Sequence, residues 1–285
     1  GPQNETAIAE QLEQLNNAIN KNPDAIALAA LDTESELDAI KQAQAKNIPL
    51  IGFDSGVPGA PDGAIKATAS TDNHAAGANA AEHLFPMLEK KLGDKPVRIG
   101  VVSQEANSLS ITQRTSGFID KMVELLEKKG IKTAVVGHDK FKNNVSESDA
   151  KAIIEVRVPA QVDDAAGKTE ASTVLEKSDT VAIYGSNEFA AKAIINANGS
   201  FKESKLGADK ILAVGFDSGA LQQDAIRNGL FVGSVTQDPI QIGYQSVKLA
   251  IEAAQGKEVK DVDTGSKWYD AKNIDSDEIK PLLYQ

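Results

Sequence analysis

The stretches IPLIGFDSG (48–56) and ILAVGFDSG (211–219) place the same pentapeptide behind the same kind of short apolar run. Such a run, closed by Gly, Asp and Ser, reads as a buried strand emptying into a loop. In open parallel α/β sheets, ligands bind outside the carboxyl ends of the strands, and both copies put an aspartate and a glycine at that junction. Asp54 and Asp217 can each accept hydrogen bonds from ligand hydroxyls, and the glycines leave room for close approach. The plain alternative is a pair of loop or helix-start aspartates. Repetition after the same kind of strand argues against it.

Outward from these two anchors, strands and helices take turns. Ile8, Leu12, Leu15 and Ile19 recur at helical spacing behind a cap at Asn4, and the run Ala25 to Ala30 follows as a strand. Thr33 and Glu36 have the spacing of a capping box before Leu37 and Ile40. Further strands are expected at 97–102, 133–136, 180–184, 211–216 and 230–235. Phe118, Met122 and Leu125 mark a helix stopped at Gly130, and ALQQDAIRNG marks another stopped at Gly229. Apolar strands alternating with helices predict an α/β fold of two doubly wound parallel-sheet lobes, covered on both faces.

Composition sets limits on function. At 285 residues and 41% hydrophobic content the chain can bury two ordinary cores. A net charge of −11 opposes the phosphate backbone, so nucleic acid is not an expected partner. No stretch reaches the roughly 20 apolar residues of a membrane span. With no cysteine, disulfides and thiolate chemistry are ruled out. His74, His83 and His138 lack helical metal-pair spacing, so no metal site is expected. No phosphate-cradling or nucleophile-elbow motif occurs, no cofactor is expected, and the chain reads as a non-enzyme.

IPLIGFDSG, STDNHAAG, SITQRTSGF, AIYGSNEFAAKA, LAVGFDSG and VGSVTQDPIQIG occur in this order. Together they resemble the ribose-type periplasmic sugar-binding proteins, solute receptors of ABC importers, from about residue 5 to the C-terminus. The resemblance implies a type I periplasmic binding protein fold with a three-crossover hinge, closing on a monosaccharide or furanose-like polyol between two lobes. It also implies delivery to a membrane ABC permease and an extracytoplasmic location, in the periplasm or as a cell-surface lipoprotein. The lobes are expected at 1–71 with 238–264 and at 72–237 with 265–285. An effector-binding core of a repressor of the same fold, and a quorum-signal furanose receptor, are the alternatives. Carried over by position, Asp54 and Asp217 bind sugar hydroxyls, Arg114 grips the ring oxygen, and Gln237 donates and accepts beside the hinge. The plain readings are a surface ion pair for Arg114 and a hinge hydrogen bond for Gln237.

Departures from the pattern bear on the ligand. Ser55 stands where ribose receptors carry arginine, and Ser186 with Asn187 stands where they carry asparagine before Asp-Glu, which suggests a hexose, a deoxy sugar or a modified furanose rather than ribose. Between Phe141 and Thr180 the chain is roughly 20 residues longer than the pattern, with IIEVRV (153–158) as an extra strand. Either Phe141 or the stretch 159–162 takes the place of the aromatic ring that packs on a sugar. About 35 residues, one strand-helix-strand unit, are missing before the first motif. Either that unit exists outside this sequence, or the strand at 25–30 is an open edge through which the chain self-associates.

Overall fold

The computed structural model describes residues 1–284. The chain divides into two compact units, one of 1–72, 107–112 and 238–265, the other of 73–106, 113–237 and 266–285. Segment 107–112, expected with the second lobe, falls with the first unit.

The first unit carries α1 (Ile8–Asn20), β1 (Ile26–Leu28), α2 (Leu37–Ala45), β2 (Leu50–Phe53) and β3 (Ile65–Ser70). The second opens with α3 (Asn73–Leu88), β4 (Val97–Val102), α4 (Leu109–Glu127), whose start belongs to the first unit, β5 (Thr133–Val136) and β6 (Ala152–Arg157). It continues through α5 (Asp164–Leu175), β7 (Thr180–Gly185), α6 (Glu188–Asn198), β8 (Leu212–Phe216), α7 (Ala220–Arg227) and β9 (Gly233–Gln237). The chain then supplies α8 (Pro239–Ala254) and β10 (Val262–Asp263) to the first unit and returns to the second as β11 (Ser266–Tyr269).

In the first unit the sheet order is β1-β2-β3-β10, all parallel. Alternate strand residues face opposite ways. Leu50 therefore joins Leu15, Ile19 and Ile40 of α1 and α2, while Ile51 joins Leu249 and Ala253 of α8 on the other face. β1 is an edge strand, as expected, paired to β2 alone. Gln11 of α1 occupies part of that edge: its amide nitrogen donates to the Ala29 carbonyl at 2.9 Å and its oxygen accepts from the Leu31 amide at 2.9 Å. A neighbouring strand would offer the same donor and acceptor pair.

In the second unit the order is β11-β9-β8-β7-β4-β6-β5, with only β11 antiparallel. Tyr184, Val214 and Phe216 face α3 and α4, whereas Ile183 and Ala213 face α5, α6 and α7. The sheet is thus covered on both faces. The strand expected at 153–158 is present. Its residues form β6, paired directly to central β4, and β5 is the edge strand held by β6 alone. With β6 set aside or with β5 set aside, the remaining one of the two and β4, β7, β8 and β9 keep the doubly wound 2-1-3-4-5 order. The last β-run begins at Gly233, three residues later than expected, because 230–232 belong to the turn leaving α7.

Two cap assignments change. Asn4 accepts from the Thr6 amide and hydroxyl, closing a turn ahead of α1 rather than capping it. Glu36 does not complete a capping box: α2 starts after it without a side-chain cap, and its carboxylate is fully buried with both oxygens lacking a hydrogen-bond partner. Burial, and secondarily the Asp32 carboxylate, pushes the Glu36 carboxyl up to about 7. The helix stops at Gly130 and Gly229 are as expected, each with the positive φ that a glycine adopts without cost.

Candidate functional site

Both GFDSG copies build the same backbone corner. Phe53 pairs with Ala69 and the next amide, of Asp54, donates to the Ala69 carbonyl at 3.0 Å. Phe216 pairs with Val235 and the Asp217 amide donates to the Val235 carbonyl at 2.7 Å. Each aspartate sits in the left-handed region, with φ of 56° and 68°. A non-glycine residue occupies that region at a cost, and Asp and Asn tolerate it best. Neither aspartate caps a helix: no helix follows Asp54 before β3, and α7 has Gly219 at its N-cap.

In the second unit Arg114, Asp217 and Gln237 come together. α3 and α4 touch backbone to backbone at two glycines: a Cβ on Gly77 would lie 2.2 Å from the Arg114 carbonyl oxygen, and one on Gly117 would lie 2.0 Å from that of His74. This close crossing sets Asn73, the first residue of α3, against Arg114. Arg114 Nε donates to Asn73 Oδ1 at 2.7 Å and Nη1 donates to Asp217 Oδ2 at 3.2 Å. The guanidinium lies over the Phe216 ring, 4.2 Å from its centroid. Asp217 Oδ2 also accepts from the Glu188 amide at 3.3 Å, and Oδ1 accepts from Gln237 Nε2 at 3.0 Å. Arg114 is only 4% exposed, so it is not a surface ion pair.

The cluster leaves polar capacity unused. Gln237 Oε1 and the Tyr184 hydroxyl are buried without a hydrogen-bond partner. Tyr184 stacks on Phe118 at 4.1 Å between centroids, and complete burial holds its phenol far above the usual range, opposed by nearby Arg114. Buried polar atoms without partners cost about 1–3 kcal/mol each, so atoms of this kind beside a charged cluster suit a polar ligand.

The other candidates divide. Asn187 caps α6, accepting from the Ala190 amide at 3.0 Å, while its amide nitrogen donates to Gln104 Oε1 at 2.5 Å. The Ser186 hydroxyl donates to Ser103 Oγ at 3.0 Å, and Ser103 Oγ in turn donates to the Glu105 carbonyl. Both stand at the carboxyl end of β7. In the first unit Ser55 is buried, and its hydroxyl accepts the Ser110 amide at 3.3 Å; Asp54 is half-buried beside it. Phe141 packs on the apolar core in the loop after edge strand β5, with the His138 ring 5.4 Å away. The stretch 159–162 instead follows β6, next to β4.

Sequence reading alone missed Asn73, Gln104 and Phe216. Asn73 lies in the TDN motif and was within reach; the others become visible only as spatial neighbours. Among the described residues no cluster of three or more His, Asp or Glu side chains could hold a metal ion, and no helix is long and apolar enough to cross a membrane.

A fold of two parallel-sheet units, with charged and amide side chains gathered at a strand's carboxyl end, defines a solute-binding class. Residues 1–258 match the family model described as a periplasmic binding protein domain, and the chain belongs to that family. It is 24% identical over 271 residues to the D-allose-binding periplasmic protein of Escherichia coli K12, covering 93% of this chain and 76% of that protein. It is 27% identical over 229 residues to the ribose import binding protein RbsB of Haemophilus influenzae, covering 80% of this chain and 65% of that one. Among solved structures, a protein from Brachyspira murdochii described as "ABC transporter, LacI family transcriptional regulator" superposes with a TM-score of 0.83 at 38% identity, over 100% of this chain and 88% of that one. An ABC transporter solute-binding protein from Agrobacterium vitis with bound D-fucose superposes with a TM-score of 0.79 at 27% identity, over 100% and 87%. Family members are binding proteins rather than enzymes.

Proposed function

We propose that this chain is an extracytoplasmic receptor that captures a monosaccharide and delivers it to a membrane ABC permease, without chemical turnover. The observation that carries this reading is the buried Arg114–Asp217–Gln237 cluster at the carboxyl ends of β8 and β9. A planar fork of donors, a charged acceptor and an amide match the alternating donor and acceptor demands of adjacent sugar hydroxyls. Asp54 of the first unit is proposed as a further acceptor. Ser55 and Asn187 act through the chain itself, since the first holds Ser110 and the second holds Gln104 and α6. Ser186 spends its proton on Ser103 and offers only lone pairs to a ligand hydroxyl. Such a site, poorer in donors than one with arginine and asparagine at these positions, favours a hexose, a deoxy sugar or a modified furanose.

Acid-base catalysis by Asp54 and Asp217 is not part of this reading, because the Asp217 carboxylate is already engaged by Arg114, Gln237 and the Glu188 amide. The acidic composition favours an importer receptor over a repressor core. The one-sided pairing of β1 supports self-association through that edge, which concentration-dependent sedimentation tests.

Isothermal titration of the full chain with D-allose, D-ribose, D-fucose, D-arabinose and a furanose signal tests the function. One saturable sugar with no product formed supports a receptor. Failure of every sugar to bind overturns it.

A further inference from the structure

The side-chain contacts of Asp217 account for its carboxylate, yet its left-handed backbone needs a restraint of its own. Three buried donors converge on the Asp217 carbonyl: the Tyr269 hydroxyl at 2.7 Å, Ser234 Oγ at 3.0 Å and Gln222 Nε2 at 3.1 Å. They come from β11, β9 and α7, and all are essentially inaccessible to solvent. Gln222 Nε2 also donates to Ser234 Oγ at 2.5 Å, tying two of the three together. The next residue is gripped in the same way. Gln223 Nε2 donates to the Ser218 carbonyl at 2.7 Å and to the Tyr284 carbonyl at 2.8 Å, and the Tyr284 amide donates to Ser218 Oγ at 3.4 Å. The C-terminal segment from Ser266 onward thus meets both residues of the second Asp-Ser corner. Its first residue, Ser266, pairs with Gln237, which itself donates to the Asp217 carboxylate.

We propose that Tyr269, seconded by Ser234 and Gln222, is a positioning residue for ligand binding: it fixes the Asp217 backbone so that the carboxylate already points as the ligand needs it. Residues 266–284 then belong to the binding machinery rather than to a structural tail. The inference rests on the reading of Asp217 as a ligand acceptor. Preorganised acceptors bind more tightly because ordering is not charged against the complex.

The test uses the full chain and the sugar of the above panel that binds it most tightly. Tyr269→Phe removes one hydroxyl and is expected to weaken binding about tenfold, with Ser234→Ala acting in the same direction. The control is Thr180→Val, which removes another buried hydroxyl-to-carbonyl bond of 2.7 Å in the same unit, to Val174. It should lower the melting temperature comparably and leave affinity within about twofold. Should Tyr269→Phe and Ser234→Ala both bind as the unaltered chain does, or lose no more than Thr180→Val, the positioning role is overturned while the receptor reading stands. If the unaltered chain binds no sugar, the receptor reading fails and takes this inference with it.

Discussion

The two GFDSG corners share a sequence, a φ near 60° and an amide bond to the neighbouring strand, yet they are held in different ways. The second opens directly into α7 and is enclosed by α4, α6, β9, β11 and the C-terminal segment, leaving Asp217 8% exposed. The first runs into an irregular loop up to Ile65, with Asp54 half-buried and the Ser55 carbonyl accepting from Ala30 at 3.4 Å. Five identical residues therefore dictate the backbone corner, while the burial and partners of the carboxylate come from elements far away in the chain.

The sharpest way to break this comparison is to remove each carboxylate in turn. Asp217→Ala removes the buried acceptor shared by Arg114, Gln237 and the Glu188 amide and should cost about 3–5 kcal/mol in urea unfolding. Asp54→Ala, in a half-exposed setting, should cost about 1–2 kcal/mol, much of it the left-handed backbone. Equal losses would mean that the two corners are energetically alike.

Buried charge differs between the units in the same sense. In the second, Arg98 is satisfied by Glu155 at 2.7 Å and Asp179 at 3.1 Å, and Lys177 adds a bond to Glu155 at 2.6 Å. In the first, Glu36 is buried alone. Its folded pKa of about 7 lies above the unfolded value near 4.5, so its neutral form stabilises the fold fully below about pH 4.5. That stability drains away as pH rises through 7, a loss of about 3 kcal/mol by pH 8. Glu36→Gln should flatten this part of the pH–stability curve, and an unchanged slope would assign it to other groups.

Smaller effects separate the glycines. A Cβ on Gly215 would lie 2.3 Å from Gln222 Nε2, so Gly215→Ala must displace a donor to the Asp217 carbonyl and should cost about 1–3 kcal/mol together with sugar affinity. At the matching position in the first copy, a Cβ on Gly52 meets Thr68 Oγ1 at 2.7 Å, so Gly52→Ala should lower the melting temperature while sparing affinity more. Least of all, Gly56→Ala meets Leu109 at 3.5 Å and Thr68 at 4.0 Å, ordinary contacts, and should stay within about 0.5 kcal/mol. Thermal melts paired with titrations order the three.

Local signals were legible in the sequence. The two anchor strands and the helix stops at Gly130 and Gly229 follow from runs and breakers a few residues long. The family resemblance named Asp54, Arg114, Asp217 and Gln237, and the last three are neighbours in the second unit. What stayed hidden was the support around them. Asn73 reaches Arg114 across 41 residues of chain, Tyr269 reaches Asp217 across 52 and Asn187 reaches Gln104 across 83. No spacing rule links such pairs. The place of β6 between β4 and β5 was hidden for the same reason, since strand order is a property of the assembled sheet. Glu36 failed differently: its capping-box spacing is a local preference, and packing against the core overrode it.

One contact made by β11 gives the molecule an optical property. The single tryptophan of the chain, Trp268, lies face to face with His83 of α3, 4.4 Å between ring centres and 10° from parallel. Indole emission responds to the ring stacked on it, so the fluorescence of this protein reports from one known place in the second unit. Since Tyr269, the next residue, holds the Asp217 backbone, the same emission offers a label-free view of the strand that secures the carboxylate proposed to bind sugar.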